Sequence, residues 1–152
     1  MESSRKSAEQ TVGDIQRILG MYKAKSIHLE YDDRGEVDKV FFELERDGRR
    51  LGFRVPCRWE AVLNALMERR AKDKDPGDED ARRAKKIAWR QTYRWIEAQL
   101  AYVNTRMVKT EEVFLSYLVD NNGKTLFEAI EESGYRLLEY KKEKSSDGHA
   151  KV

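Results

Sequence analysis

Arg83, Lys86, Arg90 and Arg94 recur at i, i+3, i+7 and i+11, a spacing that lines four cations along one side of a helix. Such a ridge can track the phosphates of DNA or RNA without reading bases. The surrounding stretch, Ala81 to Ile96, carries six basic residues and no acidic one. The plainer alternative is a solvated face that pairs with the acidic stretch Asp32, Asp33, Glu36 and Asp38. That stretch has a chemistry of its own, since clustered carboxylates can stand in for phosphates toward a protein partner.

Catalytic and metal chemistry find little material. The chain has two histidines, His28 and His149, and one cysteine, Cys57. A zinc site, a Cys–His dyad and a Ser-His-Asp triad each need partners that this composition scarcely supplies. Cys57 follows Pro56 near a helix start, where a thiolate can be favoured, but its expected role is a structural thiol. His28 is expected on the outward face of a strand. The acid pairs Asp32–Asp33, Glu111–Glu112 and Glu131–Glu132 all fall at turns or helix ends, where acids are ordinary. A carboxylate-metal nuclease is the one enzyme class they leave open, and nothing singles out a pair. Neither G-x-G-x-x-G nor a P-loop is present. The expectation is therefore a non-enzymatic protein with no metal and no cofactor.

The composition suits one folded unit. The 152 residues include three Trp, seven Tyr and five Phe, aromatic content that a disordered chain would lack. The charged fraction is 38% yet the net charge is only +2, so both signs crowd the surface. A lone thiol fits a reducing compartment. No signal peptide and no apolar run of membrane-spanning length is visible. The expected location is cytoplasmic, with no membrane partner.

The elements that must position these residues can be read from periodicity. Ser7 with Gln10 makes an S-x-x-Q capping box, followed by Val12, Ile15, Ile18 and Leu19 at helical spacing; this predicts a helix over 8–22. Three alternating runs follow, with Ile27, Leu29 and Tyr31, then Val40, Phe42 and Leu44, then Leu51, Phe53 and Val55 on the inner face. Asp32-Asp33-Arg34-Gly35 and Arg46-Asp47-Gly48 separate them and favour antiparallel hairpins. On the outward face Phe41, near Arg50 and Arg54, has the makings of a base-stacking platform. A second helix runs from Trp59 to about Arg70. Lys72 to Gly77 lacks apolar side chains and reads as a breakpoint. A long helix then runs from Asp78, its expected N-cap, to about Met107, and two short helices follow, from Thr110 and over Thr125–Glu132.

The predicted fold class is α+β: an N-terminal helix, a three-stranded antiparallel sheet, a second helix, then a long helix and two short C-terminal helices around one core. The expected organisation is a flexible N-terminus over 1–7, a single domain over 8–140 and a disordered tail over 141–152. Within the domain, an αβββα half (8–71), a linker (72–80) and a helical half (81–140) share the core.

The long helix has two apolar stripes. One holds Ala84, Ile87, Ala88, Trp95, Ala98 and Tyr102, the other Trp89, Tyr93, Ile96, Leu100, Val103 and Met107. A helix apolar around most of its circumference must be covered on two sides. It is either the central helix of the domain or part of a homodimer interface. At about 29 residues it measures roughly 43 Å, close to the span expected for a body of this size.

Helix, three antiparallel strands and helix resemble the topology of the double-stranded-RNA-binding domain. That family's basic cluster at the start of its second helix is replaced here by Pro56-Cys57-Arg58-Trp59-Glu60-Ala61, so its RNA-binding residues do not carry over. The chain also resembles a group of small bacteriophage and prophage proteins. The likeness lies in Thr11-Val12-Gly13-Asp14-Ile15-Gln16-Arg17, in Phe53-Arg54-Val55-Pro56 leading to Trp59, in Trp95-Ile96-Glu97-Ala98-Gln99-Leu100 and in Glu111-Glu112-Val113-Phe114-Leu115. It implies a phage accessory role in the cytoplasm of a host cell.

Two functions follow as expectations. One is nucleic-acid binding, DNA or RNA, through Arg83, Lys86, Arg90 and Arg94. The other is a protein-interaction module that inhibits a host nuclease or defence complex through its acidic surface.

Overall fold

The structure is a computed structural model that describes residues 6–70 and 75–142. Most of the expected flexible N-terminus and tail, and positions 72–74 of the expected linker, lie outside the described residues. Among the described residues, five α-helices and three strands are formed: α1 (Ala8–Met21), β1 (Ser26–Tyr31), β2 (Val37–Arg46), β3 (Arg49–Arg54), α2 (Trp59–Glu68), α3 (Asp78–Asn104), α4 (Thr110–Val113) and α5 (Leu126–Glu132). The α+β class and the element order are those the sequence predicts. No helix among the described residues is long and apolar enough to cross a membrane.

The sheet is antiparallel in the order β1-β2-β3. Its β2–β3 hairpin closes on Asp47 (φ 52°) and Gly48 (φ 73°). Positive φ at both central residues is the type I′ geometry that matches strand twist, and Asp-Gly supplies it with little steric cost. Val40, Phe42, Leu44, Phe53 and Val55 are buried on one face. Tyr31 departs from the expected pattern. The register slips between Glu30 and Tyr31, so that Glu30 pairs with Lys39 but Tyr31 with Val37. The extra residue, Asp38, breaks the two-residue alternation of β2 and brings Val37 to the buried face, while Tyr31, the last residue of β1, is 59% exposed.

One hydrophobic cluster joins the two halves of the chain. Val12, Ile15 and Leu19 of α1 meet the inner sheet face, Trp89, Ile96 and Leu100 of α3, and Phe114. Phe114 packs edge-on against Phe42 (5.3 Å between ring centroids) and Trp95 (5.6 Å). It thereby ties the sheet, the long helix and the C-terminal segment together.

The long helix packs against both α1 and α2. Ser7 and Ala8 line one cavity with Arg82 and Lys86, and Asp14 lies beside Arg90, so α1 runs parallel to it. Trp59 beside Lys85 and Arg70 beside Asp80 show that α2 runs antiparallel. Trp59 therefore meets Lys85 and Asp38, while Trp95 meets Phe114 and Tyr117. The buried face of α3 is Ala84, Lys85, Ala88, Trp89, Thr92, Ile96 and Leu100, so the expected stripes are only partly used. Tyr102 and Met107, at and beyond its C-terminal end, are exposed. Asp78 is not the N-cap. Gly77 holds that position, its N–H donating to Asp80 at 3.0 Å, and Asp78 pairs instead with Arg34.

After α4 a short turn carries Leu118 and Val119 along the free edge of β3. The N–H of Val119 donates to the carbonyl of Gly52 at 2.8 Å. Thr125 then opens α5 with a capping box to Glu128.

Candidate nucleic-acid interface

The four ridge residues lie on one continuous helix, over about 16 Å from Arg83 to Arg94 at helical rise, but in different settings. Arg83 and Arg94 are exposed, and Lys86 and Arg90 are half-buried. Arg83 and Lys86 make no side-chain ion pair or hydrogen bond among the described residues. Lys86 lines a cavity of about 340 Å³ between α3 and the start of α1. Arg90 lies over the Tyr93 ring at 5.0 Å, with Nη1 3.7 Å from a carboxylate oxygen of Asp14.

Asp14 is the meeting point of the two helices. Its side chain is only 10% exposed, and Lys6 Nζ approaches it at 2.7 Å while Arg17 donates to its other oxygen. The Lys6 hydrogen bond and the three nearby cations hold its carboxyl below the usual carboxylate range, outweighing the opposing effect of burial. Three cations around one carboxylate leave this seam positive, and Lys6 and Arg17 extend the α3 ridge onto α1. Sequence periodicity of α3 alone does not find them. The available signal was an acid at position 14, in phase with the buried Thr11 and Ile15, followed one turn later by Arg17.

The acidic stretch pairs on the other flank of α3. Lys85, 6% exposed at its side chain, reaches Asp32 at 2.6 Å and Glu36 at 2.8 Å and stacks on Trp59 at 4.8 Å. Arg82 lies 3.9 Å from Glu36. Asp32 also accepts the backbone N–H groups of Arg34 and Glu36, and its carboxyl is held down at about 2, chiefly by the Lys85 hydrogen bond and then by these amides. For Lys85, burial pulls the pKa down, but the hydrogen bonds it donates to Asp32 and Glu36 outweigh it and the net shift is upward. Asp32 and Glu36 of the acidic stretch are thus paired with Lys85 and Arg82. Neither cation belongs to the ridge.

The outer sheet face is arranged differently from a stacking platform. Arg54 binds Glu128 at 2.5 Å and the carbonyl of Gly123 at 3.2 Å, and Arg50 binds Glu43 at 2.6 Å. Phe41 keeps His28 as its aromatic neighbour, 6.0 Å between centroids.

A polar cavity of about 270 Å³ is lined by Asp38, Arg54, Cys57, Trp59, Tyr117 and Glu128 among others. Glu128 is bound to Arg54, and Asp38 accepts from Trp59 Nε1 at 3.4 Å. Burial pushes the Cys57 thiol up to about 12, against a smaller opposing effect from the Thr92 side chain, so this thiol is neutral at physiological pH. Of the acid pairs, Glu111 binds Arg46 at 2.9 Å and Glu112 caps the N–H of Lys109 at 3.1 Å. No group of three or more His, Cys, Asp or Glu positioned to hold a metal ion occurs among the described residues. No protein-family model, curated protein or solved structure matches this chain.

Proposed function

We propose that this protein is a non-enzymatic binder of nucleic acid, gripping the phosphate backbone along Arg83, Lys86, Arg90 and Arg94, in the phage accessory role that the resemblance implies. One observation carries the proposal. Asp32 and Glu36, two of the acids that would otherwise cancel the ridge, are engaged by Lys85 and Arg82, and Arg83 and Lys86 are left without a partner among the described residues. Cations on a helix face with no internal counter-ion are available to phosphates. The same observation weighs against presenting Asp32 and Glu36 to a protein partner, because both are already bound within the chain.

The test is an anisotropy titration against duplex DNA, single-stranded DNA and RNA at several salt concentrations. Four phosphate contacts on duplex DNA give a slope of log K against log salt of about −3.6. Replacing Arg83 and Lys86 with Ala flattens that slope by about 1.8 units. Affinity falls alike for unrelated sequences, because phosphate contacts carry no base information. Absence of binding to all three polymers at roughly 50 mM salt overturns the proposal.

A further inference from the structure

We propose that the seam where Lys6, Arg17 and Arg90 converge on Asp14 is a phosphodiester-binding site, and that Asp14 holds the oxyanion's place in the free protein. The inference rests on the nucleic-acid proposal above and assigns its centre to residues of two helices.

The geometry is that of an occupied anion site with one donor group left over. Lys6 and Arg17 each take an oxygen of Asp14, and the nearest approach of Arg90 is 3.7 Å, too long for a hydrogen bond. Arg90 Nε and Nη1 are nevertheless buried and have no hydrogen-bond partner. Buried guanidinium donors without acceptors are costly. Stacking on Tyr93 at 5.0 Å holds the guanidinium in position.

A phosphate group relieves this shortage by exchange. Lys6 and Arg17 are the more exposed partners, with side chains 43% and 71% exposed. When they turn to phosphate oxygens, Asp14 is released to Arg90, and less than about 1 Å of movement makes a normal charge-assisted hydrogen bond. Two ionic hydrogen bonds are exchanged for two others, and Arg90 gains the acceptor it lacks. Asp14 therefore competes with the ligand in the free protein and stabilises Arg90 in the complex.

The decisive variant is Asp14→Asn, titrated with duplex DNA of two unrelated sequences at several salt concentrations. With the competing charge removed, affinity rises roughly tenfold at each salt concentration while the salt slope changes little, because Lys6 and Arg17 contact phosphates in both complexes. Arg17→Ala, a change at an exposed side chain, flattens the wild-type slope by about one unit and cancels most of the Asp14→Asn gain in the double variant. If Asp14→Asn does not fold, the Arg17→Ala slope alone decides. Millimolar inorganic phosphate separates the two sources of the ligand. Thermal stabilisation of Asp14→Asn by inorganic phosphate, with no gain for DNA, overturns the phosphodiester assignment. Unchanged or weaker DNA binding by Asp14→Asn and an unchanged slope for Arg17→Ala overturn the site, even where Arg83 and Lys86 still govern binding. Loss of all wild-type binding is a different result and overturns the earlier proposal.

Discussion

Lys85 of the long helix and Asp32 of the β1–β2 turn are 2.6 Å apart, with the lysine side chain only 6% exposed. The pair, completed by Glu36 at 2.8 Å and the Trp59 ring at 4.8 Å, fixes the orientation of α3 relative to the sheet. It also bears on which face of the helix is left to ligands, because it engages two of the acids that could have covered the ridge.

Removing one partner of such a group leaves the others uncompensated, which costs more than the intact group contributes. Lys85→Ala is expected to lower the melting temperature by about 5 °C or more. Lys85→Met combined with Asp32→Asn and Glu36→Gln recovers much of that loss, since the apolar stem is kept and no bare carboxylate remains. Calorimetry of the two variants checks both statements. An equal loss in both would show that the ammonium group itself, rather than its balance with the acids, sets the stability.

Acid should undo this latch in a defined window. Asp32 is held at about 2, from an ordinary value of 3.8, so its folded pKa is depressed. A depressed acid adds stability above its unfolded pKa and loses that contribution as pH falls through the folded value. The stability gap between wild type and Asp32→Asn is therefore widest above about pH 4 and closes toward about pH 2. Urea midpoints across that range measure it. A gap independent of pH would mean that the charge of Asp32 contributes nothing to stability.

The strands and the two hairpins were legible in the sequence because one face of the sheet is buried and Asp-Gly turns fix the register. The burial of Val37 was not, since one unpaired residue at Asp38 shifts the phase of β2 and alternation carries no warning of a bulge. The ridge was legible as a helical spacing, but its local environments were not. Whether Arg90 is solvated or turned onto Asp14 depends on a parallel helix more than seventy positions away in the chain. Lys85 was hidden by its type, because a lysine reads as surface, although it is in phase with Trp89, Thr92 and Ile96 on the buried face. A cation in phase with a core stripe, matched by acids spaced i, i+4 at Asp32 and Glu36, was the available signal.

Cys57 offers a direct check on the chemistry assigned to its cavity. With the thiol pushed up to about 12, alkylation of the folded protein at pH 8 is expected to be at least about a hundredfold slower than in the unfolded chain. Cys57→Ser is expected to bind nucleic acid as the wild type does. Fast alkylation of the folded state would reveal a stabilised thiolate and reopen the case for a nucleophile there.

The edge of β3 supplies the last prediction. Gly52 faces Val119, whose segment is held by a 2.8 Å hydrogen bond from the Val119 N–H to the Gly52 carbonyl. A Cβ added at Gly52 would lie 3.3 Å from Val119 Cγ2, closer than ordinary contact. Replacing a strand glycine with alanine normally lowers the entropic cost of folding and stabilises by a few tenths of a kcal/mol to about 1 kcal/mol. Here the crowded valine sits on a segment anchored by a hydrogen bond and by the Phe53–Leu118 bridge, so it cannot move without loosening that edge. Gly52→Ala alone is therefore expected to destabilise, and Val119→Ala to relieve it. The double-mutant cycle should return a coupling of about 0.5 kcal/mol or more in favour of the pair. Additive effects would show that the edge yields freely and that glycine at this position serves another purpose.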